Sequence, residues 1–107
     1  MPREDRRIYF DYEETYKALF ALCIQREFKK PPAGIIKAIE VHADDSTRLT
    51  VQIDNPLEHL SNRVEYSRDF LAAALMLFCR SLGVPLPKAA QKSVEFNYGT
   101  VILRVQI

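Results

Sequence analysis

Lys92-Ser93-Val94-Glu95-Phe96-Asn97-Tyr98-Gly99-Thr100-Val101-Ile102-Leu103-Arg104-Val105-Gln106-Ile107 is two alternating runs around a turn. Lys92, Val94 and Phe96 share one side of the first run, and Val101, Leu103, Val105 and Ile107 share one side of the second. Ser93, Glu95 and Asn97, then Ile102, Arg104 and Gln106, fall on the other side. A period of two in apolar residues is the mark of a half-buried strand. A tight turn at Asn97-Tyr98-Gly99-Thr100 sets Phe96 opposite Val101, so turn and register agree.

Upstream of this hairpin lies a helical pattern. Ser67 is suited to accept the first free backbone N–H groups of a helix over Arg68–Leu82. Gly83 fits the left-handed cap position at its end, and Pro85 and Pro87 follow. Before the cap, Arg63–Tyr66 reads as a short extended segment.

The same arrangement occurs earlier in the chain. A shift of 56 positions places Arg7 on Arg63, Ala18 on Ala74, Cys23 on Cys79 and Pro31 on Pro87. A one-residue gap then matches Lys37 and Glu40 with Lys92 and Glu95, and a second matches Leu49–Ile53 with Leu103–Ile107. In this first copy Asp11 and Glu14 form a capping box for a helix over Tyr12–Phe28, which Pro31 and Pro32 stop. Ile39, Val41, Leu49, Val51 and Ile53 face inward, and Glu40 is expected opposite Arg48 on the outer face.

The sequence therefore predicts an α+β fold made by internal duplication. Two β-α-β-β repeats, about 7–53 and 63–107, form one domain over 1–107. A connector at 54–62 joins them, with one helical turn at Leu57–Ser61. The expected architecture is a two-layer sandwich, a largely antiparallel sheet with both helices on one face and a pseudo-two-fold axis.

Composition limits the functional classes. The 107 residues are 48% hydrophobic and 27% charged, enough apolar content for a packed core. A formal charge of +1 lacks the basic excess of most nucleic-acid modules. Two Cys and two His are too few for a zinc cage or a disulfide framework, so no metal and no cofactor is expected. No signal segment or membrane-length apolar run is evident, which makes a soluble, cytoplasmic protein the expectation.

Candidate chemistry is sparse. Cys23 and Cys79 sit among Leu, Phe and Ala, where a thiol acts as a small buried hydrophobe; a disulfide between them is conceivable. Glu40, His42, Asp44 and Asp45 match no calcium-loop spacing and read as a solvated turn. His59 reads as a loop residue. A helix-turn-helix over Leu75–Ser93 fails because Pro87–Ser93 is too short for a recognition helix.

Two features point to binding. Phe70-Leu71-Ala72-Ala73-Ala74-Leu75-Met76-Leu77-Phe78-Cys79 is apolar on every side, more than one sheet face requires. A second subunit or the first helix must cover it, and a homodimer is the preferred reading. Phe70, Leu71, Met76 and Phe78 then belong to the interface, with Val105 and Ile107 if the last strand lies at a sheet edge. The leading function is thus a non-enzymatic protein-interaction or assembly module, its partner itself or another protein, with no membrane. The alternative is a weak nucleic-acid or anion binder using Lys37 and Lys92, helped by Arg80, Lys88, Lys29 and Lys30, although those cations also suit helix C-terminal ends. A small enzyme without a recognisable motif is the third class.

Overall fold

The computed structural model describes residues 3–107. The elements are β1 Asp5–Asp11, α1 Tyr12–Gln25, β2 Ile35–Val41, β3 Arg48–Asn55, β4 Leu60–Ser67, α2 Arg68–Ser81, β5 Gln91–Asn97 and β6 Thr100–Gln106. This is the expected α+β order. The strands form two antiparallel three-stranded sheets, β1-β6-β5 and β2-β3-β4, where a single sheet was expected. Inner-face residues of both sheets, among them Phe10, Val101, Leu103, Leu49, Val51 and Ile53, share one core with Ala18, Leu19, Leu71, Ala74 and Leu75 of the helices.

Local chemistry sets the helix ends. The Asp11 side chain accepts from the Glu14 amide at 2.7 Å, and Glu14 Oε1 accepts from the Asp11 amide at 3.0 Å. Ser67 Oγ accepts from the Phe70 amide at 3.0 Å. Each box or cap satisfies N–H groups that have no partner within the helix. At the other ends, the Phe28 amide donates to the Cys23 carbonyl at 2.8 Å and the Val84 amide to the Cys79 carbonyl at 2.9 Å. Glu27 and Gly83 make these reversals possible, at φ 57° and 76°. The first helix therefore stops at Gln25, well before Pro31, because the chain has already reversed.

The expected connector is a hairpin instead. β3 and β4 pair out to Asn55 opposite Leu60, and Pro56–His59 make the turn. Asn55 Oδ1 accepts from the Leu57 and Glu58 amides at 3.1 and 3.4 Å, which fixes a turn where a helical one was predicted. The opening strand of each half thus lies on the closing strand of the other: β1 on β6, and β4 on β3.

Register follows the pattern at one tip and departs from it at the other. Phe96 lies opposite Val101, and Gly99 takes φ 66° in the turn between them. Glu40, by contrast, lies opposite Thr50, because Val41 pairs with Leu49 and the His42 amide reaches the Arg48 carbonyl. Arg48 turns to β4 instead, its Nη2 3.0 Å from Glu65. The ladder shifts between Ile36 and Ala38, leaving Lys37 on a bulge.

The apolar surface of α2 is covered from within the chain. Leu71, Ala74, Leu75 and Cys79 are buried, and Phe70, Met76, Leu77 and Phe78 are partly buried against the same core. α1 packs along α2 and supplies much of that cover. The excess apolar surface read from the sequence therefore does not by itself require a second subunit. Leu71 and Val105, expected at an interface, are core residues at 1% and 2% exposure. β6 is the central strand of its sheet, so its backbone is engaged on both sides. Among the described residues no helix is long and apolar enough to cross a membrane.

Candidate functional site

A cleft of about 420 Å³ opens between the end of α1 and β4. Three aromatic rings line it, each placed by a local feature already described. The left-handed Glu27 turns Phe28 back toward the sheet, where its side chain remains exposed. Tyr66 lies on the inner face of β4 beside Val64, one position before the Ser67 cap. Phe70 stands in the first turn of α2, where that cap holds it.

The rings adjoin one another through Phe70. Tyr66 lies on Phe70 with centroids 5.5 Å apart and planes 11° from parallel. Phe28 meets the same Phe70 at 5.9 Å and 31°. The Arg26 guanidinium sits 5.7 Å from the Phe70 centroid, a cation over an aromatic face. Lys29, Lys30 and Arg48 stand at the rim.

Burial, above all, pushes the Tyr66 phenol up to about 12, with Cys23 and Tyr16 adding to the shift. The phenol therefore stays neutral. Burial also pushes the Cys23 thiol up, away from the thiolate that nucleophilic chemistry uses. Glu65 at the rim is occupied by Arg48 at 3.0 Å and by His42 Nε2 at 3.3 Å.

Beside the cleft runs an unpaired strand edge. The Arg68 amide donates to the Thr47 carbonyl at 2.7 Å, which continues the β3–β4 ladder past Arg48 opposite Ser67. Antiparallel pairs alternate between exchanging both backbone bonds and exchanging none. Tyr66, Val64 and Asn62 thus bond to β3, while Ser61, Arg63, Glu65 and Ser67 direct their N–H groups outward. β4 is the end strand of its sheet.

Of the cations named from the sequence, Lys29 and Lys30 stand at the cleft rim and the others lie elsewhere. Arg80, Lys88 and Lys92 line one cavity of about 510 Å³ with Met76, Val84 and Leu86. Lys92 Nζ donates to the Pro87 and Ala90 carbonyls at 3.0 and 3.2 Å, tying down its own loop. Lys37 lines separate clefts, one with Pro56 and His59 and one with Tyr12 and Phe96. The two lysines therefore do not share a cavity. Of the expected interface residues, Phe70 alone lines the aromatic cleft. Met76 lines the Arg80 cavity, Phe78 meets Phe10 edge-on at 6.0 Å, and Ile107 is exposed.

Sequence reading missed Phe28 and Tyr66. The pattern puts Phe28 at the last position of the helix over Tyr12–Phe28, and the left-handed residue before it is a glutamate, which does not advertise that conformation. For Tyr66 a usable clue existed: an aromatic residue immediately before a helix cap meets the side chains of the first turn. Among the described residues no three His, Cys, Asp or Glu side chains gather to hold a metal ion. At the first hairpin tip, Asp45 Oδ1 accepts from the Thr47 amide at 3.0 Å, and His42 Nε2 lies 2.8 Å from Thr50 Oγ1.

No family model, no curated protein and no solved structure matches the chain.

Proposed function

We propose that the protein is a non-enzymatic interaction and assembly module whose contact site is the Phe28–Tyr66–Phe70 cleft with the adjoining β4 edge. One observation carries the reading: the exposed Phe28 and the half-buried Phe70 and Tyr66 adjoin one another directly beside a strand with unpaired N–H groups. Aromatic and arginine side chains around a pocket are the usual anchors of protein contacts. A free strand edge supplies the backbone half of such recognition. Isotope-labelled protein titrated with peptides recovered from a displayed random library tests it. Amide shifts should concentrate in Val64–Phe70, and Phe28→Ala should weaken binding about tenfold. Absence of any binder, with no concentration-dependent shift of the same amides in the protein alone, overturns the reading.

A second reading takes the same rings as a platform for single-stranded nucleic acid. Arg26 over Phe70, with Lys29 and Lys30 at the rim, is the observation in its favour. It predicts that a labelled oligothymidylate binds more weakly as salt rises, and that Lys29→Ala with Lys30→Ala abolishes binding. A salt-insensitive lack of binding removes it. The repeated lysines do not enter, since Lys92 is engaged by backbone carbonyls and Lys37 lies apart.

A further inference from the structure

We propose that the partner on the β4 edge is a second copy of this chain, the two β4 strands pairing antiparallel about Val64. The inference rests on the docking reading above and names its occupant. Among the described residues four strands end a sheet: β1, β5, β2 and β4. Three of them are poor templates. The β5 edge has its Val94 carbonyl occupied by Arg68, whose Nε and Nη2 donate at 3.3 and 3.0 Å. The β2 edge is broken by the bulge at Lys37. On β1, the bond from the Ile107 amide to the Glu4 carbonyl at 2.9 Å sets the alternation, so Asp5, Arg7, Tyr9 and Asp11 direct their amides outward. Full overlap of β1 with itself sets Asp5 against the partner's Asp11 twice, a repulsion of like charges.

β4 alone is self-complementary. Backbone bonds can join only outward-directed residues, and full overlap of Ser61–Ser67 centres the two-fold axis on Val64. Ser61 then faces the partner's Ser67, and Arg63 faces the partner's Glu65, with both pairs repeated by symmetry. Opposite charges directly across an antiparallel pair are stabilising. On the inner face Val64 meets the partner's Val64 at the axis, and Asn62 meets the partner's Tyr66. The two β2-β3-β4 sheets become one of six strands, and each aromatic cleft borders the new interface.

Sedimentation velocity on the full chain from about 5 to 500 µM tests this, with backbone amide exchange as a second readout. The Arg63 and Glu65 amides should be protected in concentrated protein and exchange quickly on dilution. Arg63→Glu makes the edge all acidic and Glu65→Arg makes it all basic, so each alone should weaken self-association about tenfold or more. An equimolar mixture of the two variants should restore the dimer, because every cross-strand pair is again of opposite charge. A wild-type monomer throughout the range overturns the proposal. So does a dimer whose Arg63 and Glu65 amides stay unprotected, or a mixture no better associated than its components. A monomer that still binds peptides at Phe28 leaves the docking reading standing, whereas a monomer that binds none removes both.

Discussion

Glu27 occupies at the end of α1 the place that Gly83 occupies at the end of α2. Both residues adopt left-handed backbone, and the amide that follows each bonds back to a cysteine carbonyl, Cys23 or Cys79. A residue with a Cβ bears a steric penalty in that conformation which glycine avoids. Glu27→Gly is expected to stabilise the protein by about 0.5–1 kcal/mol, and Gly83→Ala to destabilise it by about 1 kcal/mol. Urea denaturation midpoints check both. Equal signs for the two substitutions would contradict the account.

A different glycine answers to space as well as to backbone. Gly34 enters β2 at φ 145°, and a Cβ there runs into the backbone carbonyl of Asp54, with the carbonyl carbon at 2.8 Å. Backbone cannot swing aside as a long side chain can. Gly34→Ala should therefore cost about 2–3 kcal/mol, more than Gly83→Ala, whose added methyl meets nothing. Parallel thermal unfolding of the two variants gives the comparison.

Tyr66 is expected to make the protein sensitive to alkali. Its folded-state pKa of about 12 lies above the ordinary 10.0, so the folded state holds the phenolic proton more tightly than the unfolded chain. That contribution to stability is fully present below pH 10 and is lost as pH rises toward 12. Tyr66→Phe should flatten the fall in stability across this window. Ultraviolet titration of the wild type should show Tyr66 ionising late, with Tyr16, also raised by burial, later than the other tyrosines; a single transition with all tyrosines together would refute the assignment.

The two thiols should be inert in the native state. Cys23 and Cys79 are free and buried, and burial raises both above the ordinary thiol value. Reaction with an aromatic disulfide reagent is expected to wait on opening of the structure, and to accelerate with urea in step with unfolding. Fast labelling without denaturant would show a thiol reachable from solvent.

Much of the fold was legible because period and caps are local. Phe96 opposite Val101, the Asp11–Glu14 box, the Ser67 cap and the Gly83 reversal all follow from a few neighbouring residues. Neighbour choice among strands is not local. The alternation in Arg7–Phe10 assigns faces but does not say that Phe10 will lie opposite Val101 and Tyr66 opposite Leu49. Those pairs also place Leu49 and Val101 in like positions, two residues away from the expected match of Leu49 with Leu103. A slip of two leaves every side chain on its proper face, so patterning cannot detect it. The candidate site was mostly hidden, since its rings come from a helix end, a strand and a first turn that only the tertiary fold assembles.

The crossing of the opening strands changes what continuity of the chain means for this protein. The Ile107 amide is bonded to the Glu4 carbonyl at 2.9 Å, so first and last described strands are already stitched together. The covalent link between the halves runs through the exposed turn at Pro56–His59. The architecture thus resides in the ladders: each half's opening strand is held by the other half's closing strand, so neither half completes a three-stranded sheet by itself.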